Sequence, residues 1–150
     1  MRRHALAVFG LTLLAVLASG ATASAVDVGV RFGLYTEVDE PFAGIELITR
    51  VANRVYFNPN FEWVFVEGFD YYTLNGDFHY DLPTHSNLFV WLGAGLGLVR
   101  VDFDGADDTD AALNVLAGVG VRAGGTVPYV QAKVIVKDDS EFVIGVGLRF

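Results

Sequence analysis

The sequence predicts an all-β fold, an eight-stranded antiparallel up-and-down β-barrel, from three observations. Apolar residues recur at every second position in eight segments, most regularly in residues 26–35 and 142–150, and this period places the two sets on opposite faces of a strand. Turn-forming residues separate the segments. Glycine is abundant, at 17 of 150 residues, which exceeds its usual share. Eight antiparallel strands in one small domain close into a barrel because closure leaves no open strand edge.

Residues 1–25 have the composition of a signal peptide rather than of a strand. Arg2 and Arg3 form a basic start, residues 5–17 are an uncharged apolar run, and Ala23-Ser24-Ala25 fits a cleavage site. The alternative is a membrane-anchoring helix, but the run is shorter than the ~20 residues needed to span a bilayer. The sequence therefore predicts a cleaved signal peptide over residues 1–25 and a barrel domain over residues 26–150.

The first four predicted strands alternate apolar and polar residues. They cover residues 26–35, 43–48, 55–65 and 71–81. Residue types that favour tight turns lie between them. These turns are Asp39-Glu40-Pro41, Ala52-Asn53-Arg54 and Glu67-Gly68.

The last four predicted strands cover residues 88–103, 113–122, 130–137 and 142–150. The fifth strand changes phase, because the apolar residues up to Leu98 share one face whereas Val101 and Phe103 lie on the other. A β-bulge near Val99 would reconcile the two halves. The intervening turns are residues 83–87, 104–110, 124–125 and 138–139.

The position of the glycines indicates which face of the barrel is the outside. Seven glycines share the polar phase with charged residues, namely Gly29, Gly33, Gly44, Gly118, Gly120, Gly145 and Gly147. A water-facing surface has no reason to be rich in glycine, whereas a narrow eight-stranded lumen needs glycine between long side chains. The polar phase is therefore predicted to be the lumen. Its charged members are Arg31, Glu46, Glu62, Asp77, Asp81, Arg122, Lys133 and Arg149.

The opposite face of the strands is nearly uncharged and rich in aromatic residues. Its aromatic members are Phe32, Phe57, Phe61, Trp63, Phe65, Tyr72, Phe78, Tyr80 and Phe150. Aromatic residues near strand ends are typical of the girdles that contact a membrane interface, and the same explanation is applied to Trp91. The prediction is therefore a transmembrane β-barrel with an apolar outer surface.

Composition excludes several functional classes. The chain has no cysteine, which removes disulfide scaffolds, thiolate zinc sites and cysteine nucleophiles. It has 18 acidic and 10 basic residues, so no nucleic-acid partner is expected. A general porin is also excluded, because ~8 strands leave no open channel.

The chain resembles a known group of proteins. The signal peptide, the eight alternating strands and the terminal segment 142–150 ending in Phe150 look like the small bacterial outer-membrane barrels of the OmpA, OmpX and opacity-protein type. Residues 91–97 are similar to that group in a looser way. In that group a last strand that ends in Phe is read by the barrel-insertion machinery. The resemblance thus implies insertion into the outer membrane, with that machinery as a partner and lipids and lipopolysaccharide as the surroundings.

Charge is distributed unevenly between the two ends of the predicted barrel. With both termini periplasmic, the outer loops follow the first, third, fifth and seventh strands, and they hold 13 of the 18 carboxylates. The opposite end carries Arg50, Arg54, His85 and Arg122. Strand alternation does not require this polarity, so it independently supports the count of eight strands.

Three local features suggest chemistry. Residues 102–110 place five carboxylates and a glycine in nine positions, which favours a solvated acidic loop over a Ca²⁺ site because no closing Glu follows. Asp77, His79 and Asp81 share one strand face, where a lumen network is favoured over a general base. His85 and Ser86 resemble the His and Ser of barrel lipid A deacylases, but they are adjacent and in a turn.

The sequence therefore predicts a structural or interaction component of the outer membrane, with no catalytic, cofactor-binding or metal-binding residue assigned. The protein is expected to be a monomer without a cofactor. Two alternatives remain open. One is a small transport or ligand-binding barrel for ions or an apolar solute, and the other is an acyl-modifying enzyme acting on lipopolysaccharide.

Overall fold

A computed structural model describes residues 25–150, which form eight antiparallel strands closed into a single barrel. The strands are β1 (Val26–Tyr35), β2 (Glu40–Ala52), β3 (Val55–Val64), β4 (Asp70–Asp81), β5 (Leu88–Phe103), β6 (Ala106–Val121), β7 (Val127–Val136) and β8 (Glu141–Arg149). Each strand pairs with its neighbours in chain order, and β8 pairs with β1. The predicted fold is confirmed. The predicted signal peptide lies outside the described residues.

The outer surface of the barrel is apolar. The exposed fraction is 55% for Phe32, 62% for Ile45 and 70% for Leu96, values that a water-soluble protein rarely shows over a whole surface. The predicted outward aromatic residues are exposed or half-buried on this surface. Each strand has at least the nine residues of β8, which is close to the ~9–11 residues that a tilted strand needs to cross a bilayer. No helix within residues 25–150 has the length and apolarity to span a membrane.

The barrel has two different ends. The terminal end carries Val26 and Phe150, where the Phe150 amide donates to the Val28 carbonyl at 2.9 Å. The opposite end, called here the loop end, carries the connections at residues 36–39, 65–69, 104–105 and 137–140. The predicted acidic segments lie at the loop end and the predicted basic residues lie at the terminal end.

The predicted bulge near Val99 is wrong. β5 pairs with both β4 and β6 in an unbroken register along its whole length. The register shifts instead between β2 and β3, at residues 50–52. Val99 lies inside the barrel and is only 4% exposed, because the interior at the loop end is apolar. The residues of β5 that share the phase of Val99 therefore stay on one face of the strand along its whole length.

The predicted acidic loop over residues 102–110 is also wrong, because this segment is a β-hairpin. β5 continues to Phe103 and β6 starts at Ala106, so only Asp104 and Gly105 form the turn. Gly105 has a φ of 91°, a conformation that glycine adopts without strain. Pairing between β6 and β7 starts at Leu113. The hairpin therefore extends beyond the neighbouring β7 at the loop end.

Candidate functional site

A buried ionic network fills the middle of the barrel. Its centre is Glu62, which accepts hydrogen bonds from Lys133 Nζ at 2.7 and 2.8 Å. Arg31 Nη2 lies 3.1 Å from the same carboxylate, and the Tyr35 hydroxyl also donates to it. Glu62 is fully buried. Because an unpaired buried charge is costly, the contacts from two other strands, β1 and β7, make Glu62 a fixed junction of the interior.

Arg31 connects this junction to a second buried carboxylate, Glu46. The Arg31 Nη1 atom lies 3.6 Å from Glu46 Oε2. Arg149 Nε donates to Glu46 at 2.9 Å and the Tyr129 hydroxyl donates at 2.7 Å. The network therefore links β1, β2, β3, β7 and β8 across the lumen.

Amide side chains donate hydrogen bonds to a third buried carboxylate, that of Asp77. Asn60 and Asn114 each donate to one of its oxygens, at 2.9 and 2.8 Å. Asn75 donates to Asn60 at 3.0 Å and accepts from Asn114 at 2.8 Å. The middle layer thus combines three buried cations with three buried carboxylates. They are Arg31, Lys133, Arg149, Glu46, Glu62 and Asp77.

An aromatic cluster seals the lumen toward the terminal end. Trp91 is fully buried and packs between Phe89 and Tyr129, with ring centroids 5.3 and 5.6 Å away. The prediction that Trp91 belongs to an outer girdle is therefore wrong. A Cβ atom at Gly118 would lie 2.0 Å from the Trp91 ring. The predicted role of lumen glycines is confirmed here, because the indole occupies the space that a side chain on β6 would need.

An apolar cluster closes the lumen toward the loop end. This cluster was not predicted, because its residues lie on the phase that is polar elsewhere. A hint was present where neighbouring residues of both phases are apolar, as at residues 98–99 and 134–136. The buried members of the cluster are Tyr35, Phe42, Val64, Tyr71, Val99, Ala112, Ile135 and Val143.

Above this cluster lies an open cavity of about 770 Å³, called here the loop-end basin. Tyr71 and Val99 form part of its floor, and Phe69, Val101 and Phe103 form an apolar wall. Its charged lining residues are Glu37, Asp108, Asp110, Lys137, Asp138, Asp139 and Glu141. The basin therefore combines an apolar floor with an acidic rim.

Two predicted lumen charges lie at the terminal end instead of in the buried network. Asp81 is half-buried and Arg122 is exposed. The Arg122 guanidinium lies 4.6 Å from the centroid of the Phe89 ring. Both residues line a cavity of about 160 Å³ together with His79 and Arg149. Phe89 of the aromatic cluster also lines this cavity.

The two predicted histidine features do not assemble a catalytic group among residues 25–150. Asp77 and His79 share an interior face as predicted, but Asp77 is bonded by amides and the buried His79 stacks on Trp91 with centroids 5.9 Å apart. His85 and Ser86 lie in the exposed β4–β5 connection. The Ser86 hydroxyl accepts from the Leu88 amide at 3.2 Å, so it belongs to a turn.

The acidic hairpin separates its carboxylates rather than gathering them. Asp102 and Asp107 are a cross-strand pair on the outward face, where Arg100 contacts them at 3.3 and 2.8 Å. Asp108 and Asp110 face the basin. Because successive side chains on a strand point to opposite faces, the five carboxylates do not converge. Within residues 25–150 no group of three or more His, Asp or Glu side chains is arranged to hold a metal ion.

Comparison of the whole barrel with solved structures decides the fold type. The N-terminal β-barrel domain of Pseudomonas aeruginosa OprF superposes with a TM-score of 0.69 at 14% identity, over 83% of this chain and 95% of that one. Neisserial surface protein A gives a TM-score of 0.62 at 22% identity, over 83% and 92% of the two chains. The chain has the fold of the small outer-membrane barrels.

The same barrel architecture also serves an enzyme. The outer membrane enzyme PagL superposes with a TM-score of 0.55 at 12% identity, over 83% of this chain and 98% of that one. Fold alone therefore does not decide function, which depends on the residues carried by the barrel. No family model matches the sequence, and no curated protein matches it.

Proposed function

We propose that this barrel is an integral component of a bacterial outer membrane with a structural or interaction role and no catalytic activity. The observation that carries the proposal is the inverted distribution of polarity. Charged groups such as Glu62 and Lys133 are buried at the centre, while Phe32, Ile45 and Leu96 are exposed on the outside. This arrangement is stable when lipid surrounds the barrel, because lipid then contacts the apolar outer surface while the polar groups stay inside, away from it. Lipids and lipopolysaccharide are thus its immediate partners.

The packing of the lumen favours a closed barrel over the transport alternative. Three layers follow one another along the axis, namely the aromatic cluster around Trp91, the ionic network around Glu62 and the apolar cluster around Val99. A solute would have to displace buried ion pairs to pass. We expect no stepwise conductance when the purified barrel is added to planar bilayers, and conductance steps of constant size would support the transport alternative instead.

Assembly is proposed to follow the route implied by the sequence. The signal peptide is removed after Ala25, and the barrel-assembly machinery inserts the remaining chain through its last strand. The closed hydrogen-bonded cylinder leaves no unpaired strand along the membrane-spanning part. This closure supports a monomeric protein.

Fractionation of cells that express the full chain tests the proposal. We expect the protein in the outer-membrane fraction, starting at Val26, and moving faster on gels before heating than after heating because the folded barrel resists detergent. A control expressed without residues 1–25 should stay in the cytoplasm. Recovery of the full chain as a soluble periplasmic monomer without detergent would overturn the membrane assignment.

A further inference from the structure

The loop-end basin exposes apolar surface that no side chain within residues 25–150 covers. The Phe69 and Phe103 rings lie 4.8 Å apart at its wall. Phe103 is 53% exposed and Val38 is 39% exposed, and both line the basin at the loop end. A concave apolar surface of this size matches the ~300–1,000 Å³ that ligand pockets occupy. The basin is therefore large enough to hold the body of a small organic molecule.

The rim above this surface is strongly negative. Six carboxylates and a single ammonium group, that of Lys137, line the basin. The carboxylates come from the β1–β2 connection, from β6 and from the β7–β8 region. They are Glu37, Asp108, Asp110, Asp138, Asp139 and Glu141. A concave site lined by one sign of charge focuses the electrostatic field and raises the local concentration of oppositely charged ligands.

Arg100, the basic residue of the hairpin, does not neutralise the carboxylates that line the basin. Arg100 points outward, where it pairs with Asp102 and Asp107. The inward-facing Asp108 and Asp110 lie directly across the strands from Val101 and Val99. The hairpin thus presents carboxylates and apolar side chains side by side toward the cavity, while its cation faces away.

We propose that the loop-end basin binds an amphipathic organic cation, with its apolar body against Phe69, Val101 and Phe103 and its ammonium group among the rim carboxylates. An aromatic ring face also attracts an adjacent cation, so the wall and the rim favour the same ligand class. A hydrated metal ion leaves the apolar wall uncovered, and an uncharged apolar molecule leaves the carboxylates uncompensated. An anionic ligand is repelled. The proposal concerns a binding activity beyond the structural role, and its failure leaves the fractionation result intact.

Calorimetric titration of the folded chain in nanodiscs of zwitterionic lipid tests the ligand class. The probe is 4-phenylbutylammonium, compared with 4-phenylbutanoate, which has a similar body and the opposite charge, and with methylammonium, which has the charge alone. Empty nanodiscs correct for partitioning into lipid. We expect saturable one-to-one binding of the probe, at least about tenfold tighter than either comparison compound, a difference of about 1.4 kcal/mol.

Matched variants test the location. Asp108→Asn combined with Asp110→Asn should weaken probe binding about five- to tenfold by removing two rim charges, and Phe103→Ala should weaken it by a similar factor. The control is Asp39→Asn combined with Asp104→Asn, which removes the same charge at the same end but outside the basin, and it should stay within about twofold. Heat-modifiable mobility verifies that every variant is folded.

Each other outcome overturns the proposal. Equal weakening in the basin variant and in the control would mean that only the diffuse negative field attracts the probe. Methylammonium binding as tightly as the probe would mean that the apolar wall takes no part. Equal binding of 4-phenylbutanoate, or no saturation above the signal of empty nanodiscs, would mean that the basin has no preference for an amphipathic cation.

Discussion

Removing one charge from the central ion pair should destabilise the barrel far more than its small change in shape implies. In the wild type, Lys133 and Arg31 lie 2.7 and 3.1 Å from the Glu62 carboxylate. Glu62→Gln keeps the volume of the side chain but leaves these two buried cations without its negative charge. Breaking a buried pair in this way costs about 3–5 kcal/mol. Lys133→Met should cost less, about 2–3 kcal/mol, because Arg31 still compensates the carboxylate.

The double variant distinguishes a coupled pair from two independent effects. Glu62→Gln with Lys133→Met removes both charges, so we expect it to be no less stable than Glu62→Gln alone, a coupling energy of about 2–3 kcal/mol. The assay is urea unfolding in lipid vesicles, followed by circular dichroism and by gel mobility. Glu67→Gln and Lys137→Met, the same changes at the loop end, should shift the free energy of unfolding by no more than about 0.5 kcal/mol. Additive losses in the double variant, or single losses under about 1 kcal/mol, would refute the reasoning.

Three further substitutions address the glycine packing, the closing strand and the acidic hairpin. Gly118→Ala should cost about 1–3 kcal/mol, since its Cβ would lie 2.0 Å from the buried indole ring, whereas Gly125→Ala, with no atom within 4 Å, should be close to neutral by the same unfolding assay. Phe150→Asp should lower the amount of folded protein in membranes, measured by immunoblot, because the side chain is 57% exposed on the apolar outer surface; normal membrane levels would contradict this. Asp104→Asn with Asp107→Asn should change the free energy of unfolding by less than about 1 kcal/mol. Ca²⁺ should have no larger effect than Mg²⁺ on the wild type or on the variant. A Ca²⁺-specific rise in melting temperature that the variant loses would reveal a cation site.

The sequence predicts which charged side chains lie in the lumen but not which of them contact each other. The polar phase correctly placed Arg31, Glu62 and Lys133 in the interior, because alternation is a local property of each strand. Which carboxylate meets which cation depends on the register of all eight strands. Glu62 and Lys133 are separated by 71 positions in the chain, and no local pattern encodes that distance.

The sequence by itself determined the number of strands, the alternation of their inward and outward faces, the closure and the acidic end, since each follows from a period of two and from the positions of turn residues. Tertiary structure decided the layering of the interior. Alternation turns Trp91 and Val99 inward, but only the closed barrel places Gly118 where the indole needs space and surrounds Val99 with apolar residues of other strands. The basin also depends on strand pairing. The β5–β6 hairpin extends past the end of β7, and only the pairing of these strands sets the length of the extension. Alternation tells which face a side chain takes, and only the closed barrel determines what it meets there.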